Sequence, residues 1–303
     1  MRSPLPASSF RGGATGAPTC MARSSPAAER TGVAPAARTP RTRTVAAGGD
    51  SRLFMGSLAK GFQVLEALNA AGRPVGLTEL AQLARLDRSG VQRITHTLRV
   101  LGYLRQDPGS KAFRLSGRML EFGHTVLATD QLRERAHPHL EALSRRTCET
   151  VNLMELEGDE IVYVARWPSV HAVSVDLHVG SRLPAFCTAA GRAILSRMDP
   201  ADALARLKAA TRTAMTPRTV TDLAGLRAAL DAARELGYAL NDQEAFIGDI
   251  SVAAPLVDRD GQPLGAVNVA VPSPRWLLRD VLARLTPQLL RTAAAINRDL
   301  RYL

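Results

Sequence analysis

The segment from Ser57 to Ser116 constrains the fold more than any other part of this 303-residue sequence. Its hydrophobic periodicity and its turn residues predict three helices followed by a short polar hairpin. The helices are predicted over about 57–70, 77–83 and 88–101, and the hairpin strands over 103–106 and 112–115. This order is typical of a winged helix-turn-helix, which places one helix in the major groove of DNA.

The core and the capping residue of this segment can also be predicted. We expect one buried apolar stripe on the first helix and another on the third. These stripes consist of Leu58, Phe62, Leu65 and Leu68 on the first helix, and of Val91, Ile94, Leu98 and Leu101 on the third. Asp87 is placed to accept hydrogen bonds from the free backbone amides at the start of the third helix.

The opposite face of the third helix is polar and basic. Its side chains are Arg88, Ser89, Gln92, Arg93 and His96. Arginine can fork onto guanine and glutamine can pair with adenine, whereas Ser89 suits phosphate oxygens. A solvated helix face would have the same composition, but the tight turn before this helix and the hairpin after it favour DNA binding.

Positive charge is concentrated around this segment of a chain whose net charge is +11. Residues 51–120 carry eleven Lys or Arg and four Asp or Glu, a net charge of +7, whereas residues 121–303 carry 21 and 22, a net charge of −1. Arg105, Lys111 and Arg114 of the hairpin are predicted to contact phosphates. A basic part joined to a nearly neutral part is expected when only one of them meets a polyanion.

Residues 1–50 are predicted to form a disordered basic tail, because they contain almost no large apolar residues that could offset the ordering entropy. The tail could touch phosphates, or it could result from a start codon assigned too far upstream, with Met21 or Met55 as the true start. No apolar run approaches the roughly 20 residues that span a bilayer. Three scattered cysteines and the lack of a signal-peptide pattern favour the cytoplasm.

The rest of the chain alternates between helix-like and strand-like segments. A linker helix with several apolar residues is predicted over 117–128. Helices are then predicted over about 132–146, 188–197, 201–209, 222–236 and 276–300, and strands over 151–155, 161–166, 172–177, 250–257 and 265–271. Because hairpins replace strict βαβ repeats, we expect an α/β domain with a largely antiparallel sheet.

No catalytic residue, metal site or cofactor site is predicted in this second domain. The sequence has no GxSxG elbow, no HExxH motif and no glycine-rich phosphate loop. His137 and His139 are poorly spaced for sharing a metal ion. Cys187 is interpreted as a buried structural thiol rather than a reactive one.

Two clusters are instead typical of a ligand pocket. In the first, 179–193, an irregular Gly/Pro segment runs into a helix that begins with small residues, and free amides at a helix start favour an anion. The second, 237–251, places polar side chains beside apolar strands. A tight helix–sheet contact would explain the first cluster as well, and turn capping would explain the second.

Several separated motifs in a fixed order resemble those of IclR-family transcriptional regulators. They are SLAKGFQVLEAL, TLRVLGYL, FRLSGRMLEFG, GDEIVYVAR, VGSRLPAFCTAAGRAIL, GYALNDQE and SVAAPLVDRDGQPLGAVNVAV. The resemblance runs from about Ser57 to the C-terminus. It implies a winged helix-turn-helix domain over 51–116, a linker helix over 117–128, and a GAF-like effector-binding and oligomerisation domain over 129–303.

The resemblance also implies partners and site residues. The partners are double-stranded operator DNA, a small organic acid effector and further copies in a homodimer or homotetramer, with RNA polymerase as another candidate. The implied effector contacts are Ala189, Ala190, Asn241, Ser251, Asn268 and Ala270. Asn241 and Ala270 depart from an acidic residue and a serine that some members have.

Within the family, LAKGFQVLEAL and DEIVYVARWPS are most similar to the PcaR/PobR group, which controls the catabolism of aromatic acids. The third helix departs from that group over residues 89–93, so its operator should differ. Two other functions stay open. One is a constitutive DNA-binding protein whose second domain only oligomerises, and the other is a small-acid enzyme with an appended DNA-binding module.

Overall fold

The computed structural model describes residues 53–171, 175 and 177–301. These residues form two compact units. One consists of 53–137 with 177–181, and the other of 138–171, 175 and 182–301. The predicted tail, 1–50, lies outside the described residues, as does most of the predicted strand 172–177. Val175 and Leu177 of that segment are not in a strand.

The first unit is a winged helix-turn-helix, which confirms the sequence prediction. Its elements are α1 (Gly56–Ala71), α2 (Leu77–Leu83), α3 (Arg88–Val100), β1 (Leu104–Gln106), β2 (Phe113–Leu115) and α4 (Met119–Ala128). The antiparallel hairpin of β1 and β2 is the wing. A bridge between Val75 and Phe113 ties the wing to the segment before α2.

The core of α1 differs from the predicted stripe. The buried residues are Val64, Ala67 and Leu68, whereas Leu58 and Phe62 are 56% and 57% exposed. The three buried residues belong to one apolar cluster with residues of α2, α3 and β2. Only the second half of α1 is therefore packed within the unit, and the predicted positions in its first half are wrong.

The core of α3 differs at two positions. Val91 and Thr95 are buried, whereas Leu101 is half exposed because it caps the end of the helix. Thr95 tolerates burial because its hydroxyl donates a 3.1 Å hydrogen bond to a backbone carbonyl of the same helix. Ile94 and Leu98 are partly buried and pack against the cluster as predicted.

The second unit contains a six-stranded sheet with helices packed against it. Its strands are β3 (Thr150–Glu157), β4 (Glu160–Trp167), β5 (Arg182–Pro184), β6 (Ala239–Asp242), β7 (Asp249–Val257) and β8 (Pro263–Pro272). The strand order is β5-β4-β3-β8-β7-β6, and every neighbouring pair is antiparallel, which confirms the predicted fold class. The short strands β5 and β6 are absent from the predicted set.

The helices follow the sequence predictions closely, except at the C-terminal end. They are α5 (Gln131–Thr147), α6 (Ala189–Leu195), α7 (Pro200–Ala209), α8 (Leu223–Leu236), α9 (Leu278–Asp280) and α10 (Thr286–Leu300). The boundary between the units falls within α5. The predicted helix over 276–300 is interrupted by a π-helical turn at Val281–Leu285, since Pro287 at the start of α10 has no N–H to continue the α-helical pattern.

Candidate DNA interface and effector pocket

Asp87 fixes the start of α3. Its carboxylate accepts hydrogen bonds from the Ser89 hydroxyl and from the Gly90 amide, both at 2.7 Å. Both hydrogen bonds lower the pKa of Asp87 below its usual value, and the bond from Ser89 has the larger effect. The predicted N-cap is therefore present and sets the direction in which the polar face of α3 projects.

All five polar residues predicted on α3 are exposed: Arg88, Ser89, Gln92, Arg93 and His96. The hydroxyl hydrogen of Ser89 is already donated to Asp87. A phosphate at this position would therefore meet the free backbone amides of the first helical turn rather than the Ser89 hydroxyl. Arg88, Arg93 and Gln92 lie on the exposed surface of α3.

The wing holds its positive charge in an arrangement that costs stability. Arg105 on β1 and Arg114 on β2 are exposed and are direct cross-strand partners. Like charges opposite each other destabilise a hairpin, so this pair favours an anion between or beside them. At the tip, Asp107 accepts hydrogen bonds from two turn amides at 2.8 and 3.1 Å, and the exposed Lys111 follows with a left-handed φ of 58°.

The predicted effector residues of the sheet share one face. Asn241 on β6 is the register partner of Ser251 on β7, which is the partner of Ala270 on β8. Asn268 precedes Ala270 by two residues, so it lies on the same face in the next row. Strand alternation therefore gathers four side chains from three strands.

The start of α6 packs more tightly than the sequence predicts. Ala189 and Ala190 are only 1% exposed, and α6 packs against β6, β7 and β8. The Gly191 amide is capped by the Thr188 hydroxyl at 3.2 Å, and a Cβ at Gly191 would lie 2.2 Å from the carbonyl oxygen of Ala185. Gly191 is therefore required by packing, and this seven-residue helix offers a weaker anion site than expected.

Asn241 has a structural role. Its amide donates to the carbonyl of Cys187 at 2.5 Å, and its side-chain oxygen accepts from the backbone amide of Glu244 at 3.1 Å. These bonds fasten the end of β6 to the segment just before α6. The turn-capping explanation of this cluster therefore holds for Asn241, and its contact with an effector stays a prediction.

A buried ion pair reinforces the same junction. The Arg192 guanidinium donates to the Glu244 carboxylate at 2.5 and 2.6 Å and to the carbonyl of Phe186 at 2.8 Å. The Glu244 carboxylate also accepts from the Val220 amide at 3.0 Å. No local sequence pattern indicates this pair, because its members lie 52 positions apart.

A second polar chain crosses the sheet beside Asn268. Arg166 on β4 donates to the side-chain oxygen of Asn152 on β3 at 2.9 Å, and the Asn152 amide donates to Asn268 at 2.7 Å. Arg166 also donates to the carbonyl of Val175 at 3.0 Å. A guanidinium group is thereby held close to a predicted effector residue.

A β-bulge adds Tyr163 to this face. The register of β3 and β4 shifts at Met154, which pairs with Tyr163, so that Val164 is an extra residue on β4. Strict alternation would place Tyr163 and Arg166 on opposite faces, because they lie three positions apart. The bulge puts them on the same face, and no sequence pattern identifies it.

Cys187 fits the structural interpretation. Its thiol is buried and contacts the carbonyl of Pro184 at 3.7 Å. Burial raises the pKa of this thiol to about 12, so it stays protonated and a poor nucleophile near neutral pH.

Two further kinds of feature are absent from the part of the chain that the structure describes. No group of three or more His, Cys, Asp or Glu side chains there could hold a metal ion. No helix there is long and apolar enough to cross a membrane.

An exposed basic helix with a wing in one unit, and a buried polar sheet face in the other, are features of DNA-binding transcriptional regulators with a second, ligand-binding domain. Comparison with protein families agrees with this class. The IclR helix-turn-helix domain matches residues 57–108, and the C-terminal domain of bacterial IclR transcriptional regulators matches residues 124–298. The chain belongs to the IclR family.

Individual relatives extend over most of the chain. The Pca regulon regulatory protein of Pseudomonas putida is 36% identical over 88% of this chain and 89% of its own length. The p-hydroxybenzoate hydroxylase transcriptional activator of Acinetobacter baylyi is 29% identical over 79% of this chain and 90% of its own. A solved transcriptional regulator from Rhodococcus sp. RHA1 is 35% identical, with a TM-score of 0.72 and coverage of 82% and 99%.

Proposed function

We propose that this regulator binds operator DNA under the control of a small organic acid, and that the acid is aromatic. The observation that carries the proposal is the combination of an exposed cationic surface on α3 and the wing with a separate, buried polar face on the sheet. Relatives named for the Pca regulon and for p-hydroxybenzoate hydroxylase support the aromatic class.

On the DNA side, Arg88, Gln92, Arg93 and His96 face base edges, while Arg105, Lys111 and Arg114 hold phosphates. Fluorescence anisotropy with operator and scrambled duplexes tests these roles. Gln92→Ala or Arg93→Ala should cost about 1–3 kcal/mol on the operator and little on the scrambled duplex. Lys111→Ala should weaken both and lower the salt slope by about one.

Arg145→Ala is the matched control, because Arg145 is an exposed arginine of α5 with an ordinary ion pair to Glu141. It should leave both affinities unchanged. Equal losses on the operator and the scrambled duplex for Arg93→Ala would contradict the base-reading role of α3.

On the effector side, the acid lies between the start of α6 and the face that carries Ser251, Asn268 and Ala270. Its carboxylate points toward Asn268, because the Arg166–Asn152 chain supplies positive charge there. Ala190→Leu places a larger side chain at the start of α6, where the acid is proposed to lie, and should abolish effector binding in calorimetry. Operator binding without effector should stay intact, and the melting temperature must be measured first. Full-strength effector binding by Ala190→Leu would show that the effector does not bind beside Ala190.

Control of operator binding follows from linkage. An effector can shift operator affinity only through its different affinities for the DNA-competent and DNA-incompetent arrangements of the paired DNA-binding units. Coupling free energies of this kind are about 1–3 kcal/mol, or about 5- to 150-fold in affinity. α4 is the proposed connection, since it follows the wing directly along the chain.

Pairing of DNA-binding units requires a homodimer or homotetramer. Large apolar side chains are exposed on α1 and α4: Leu58, Phe62, Leu120, Phe122 and Val126. Soluble monomers seldom expose many such residues in one small unit, so we propose that a second copy covers them. The double variant Leu120→Ser/Phe122→Ser should lower the sedimentation coefficient, whereas Leu236→Ser, at an exposed position of α8, should not. An unchanged assembly in the double variant would contradict this interface.

The remaining parts of the proposal concern the setting. The chain acts in the cytoplasm, contacts RNA polymerase as a further partner, and binds its effector without converting it. Chromatography of 4-hydroxybenzoate after long incubation should return the acid unchanged. A product formed in proportion to protein would support the enzyme alternative.

A further inference from the structure

The face of the sheet that carries the predicted effector residues has polar groups at both ends. Ser251 with Ala270, and Asn268 with Ala253, form two middle rows of small and polar side chains. Asp249 lies one row beyond Ser251, because it precedes Ser251 by two residues on β7. Tyr163 lies at the other end. It is the register partner of Met154, and Met154 is the partner of Ala266, which precedes Asn268 by two residues on β8.

Asp249 and Tyr163 are two enclosed polar side chains of this face. Neither the carboxylate nor the phenol forms a hydrogen bond or an ion pair in the part of the chain that the structure describes. Tyr163 is only 5% exposed, and Asp249 is partly buried. Arg133 Nε is the one fully buried side-chain nitrogen or oxygen without a partner among the described residues, so both of these groups open onto accessible space. Polar groups this enclosed are normally hydrogen-bonded.

The charged groups at the two ends of this face influence each other. Burial raises the pKa of Asp249 to about 7, and the positive charge of Arg166 opposes that rise. Burial also raises the pKa of Tyr163, and the charge of Asp249 adds to that effect.

We propose that Asp249 and Tyr163 are effector-contacting residues, that Asp249 accepts a hydrogen bond from a hydroxyl group of the effector, and that Tyr163 donates one to the effector's carboxylate. This assignment rests on the proposed function and adds a selectivity to it. The site prefers a hydroxylated acid over the same acid without its hydroxyl group.

The surrounding charges set the orientation. Arg166 and Tyr163 share the β4 end of the face, which suits a carboxylate. An effector carboxylate at the other end would meet the negative charge of Asp249. On α6, the guanidinium of Arg192 forms an ion pair with Glu244. Asp242 on β6 is the register partner of Ile250, so it lies on the opposite face of the sheet from Asp249. The hydroxyl end of the ligand consequently belongs beside Asp249.

Calorimetry with matched acids tests the assignment on the full chain. The probes are 4-hydroxybenzoate against benzoate, and malate against succinate. The unaltered protein should bind one hydroxylated acid about 10- to 100-fold more tightly than its parent, as expected for a hydrogen bond to a charged group. Asp249→Ala should reduce this ratio to near one, and Asp249→Asn should reduce it partly. The control Asp242→Asn should leave the ratio unchanged.

Tyr163→Phe separates the two roles. It should weaken the hydroxylated acid and its parent by the same factor, about 10-fold or more, and leave their ratio unchanged. Loss of the ratio in Tyr163→Phe, with no common weakening, would overturn the proposed orientation. The melting temperatures of all variants must stay near that of the unaltered protein. If Asp249→Ala does not fold, Asp249→Asn tests the role of Asp249 instead.

The pH dependence gives an independent check. A hydroxyl donor favours the ionised form of Asp249, so affinity for the hydroxylated acid should rise about tenfold from pH 6 to pH 8 and stay flat in Asp249→Asn. Arg166 does not titrate in this range, and the pKa of Tyr163 lies above it. A fall in affinity over this range would mean that protonated Asp249 meets the ligand's carboxylate, which overturns the proposal.

The outcomes separate this proposal from the proposed function. Binding without a preference for the hydroxyl group, or a preference that survives Asp249→Ala, overturns only the assignment of Asp249. Selection of malate over succinate with no binding of either benzoate contradicts the aromatic class and keeps the assignment. No binding of any of the four acids contradicts both.

Discussion

The buried pair of Arg192 and Glu244 allows a quantitative prediction. Glu244→Gln keeps the size of the side chain but removes its charge, which leaves the Arg192 guanidinium buried without a counter-charge. The two side chains are only 5% and 11% exposed. Removing one partner of such a buried pair typically costs about 3–5 kcal/mol, a large share of the roughly 5–15 kcal/mol that holds a domain together.

Urea unfolding followed by tryptophan fluorescence is a suitable assay, because both tryptophans of the chain, Trp167 and Trp276, belong to the second unit. With a slope of about 1–3 kcal/mol per molar urea, Glu244→Gln should lower the midpoint by about 1 M or more. Glu141→Gln is the control, since its pair with Arg145 is exposed and should contribute less than about 1 kcal/mol. A loss below about 1 kcal/mol in Glu244→Gln would refute the uncompensated-charge argument.

Three further predictions concern stability and binding. In the absence of DNA, Arg114→Thr should stabilise the first unit by about 0.2–1 kcal/mol in thermal unfolding, because it removes the repulsion with Arg105. The same variant should weaken operator binding. The pKa of Asp249, raised to about 7 in the folded state, makes the folded protein lose stability relative to the unfolded chain as pH rises through 7. The loss is about 1.4 kcal/mol from pH 6 to pH 8 and should be absent in Asp249→Asn, as measured by urea unfolding at both pH values. Gly191→Ala should destabilise the second unit by about 1–3 kcal/mol in the fluorescence assay, since its Cβ would meet the Ala185 backbone.

The elements that depend on local sequence could be predicted. The helices of the first unit, the Asp87 cap and the wing turn each follow from residues within a few positions of one another. Leu58 and Phe62 show the limit of this reasoning: a periodic stripe identifies a helix face but not which half of that face another element covers.

Features that depend on distant residues could not be predicted. β5 and β6 have three and four residues, too few for an alternating pattern to emerge. The Arg192–Glu244 pair requires the fold to bring together two chain segments. Tyr163 lies on the same face of the sheet as Arg166 and Asn268 only because of the bulge at Val164, since strict alternation would place it on the opposite face.

The candidate site was therefore predicted unevenly. Strand alternation alone places Ser251, Asn268 and Ala270 together once the sheet order is known. No sequence pattern indicates that the side-chain amide of Asn241 is hydrogen-bonded to the backbone. The small residues at the start of α6 predict an anion site that the short, capped helix does not favour.

An organic acid bound by the second unit is proposed to change the affinity of the first unit for DNA. The most direct measurement is an anisotropy titration of the full chain with a duplex from the DNA upstream of its gene, at zero and saturating 4-hydroxybenzoate. The dissociation constant should change by about 5- to 150-fold, the range typical of such coupling, and the acid should be recovered unchanged. A dissociation constant that stays the same while calorimetry shows the acid to be bound would contradict the account.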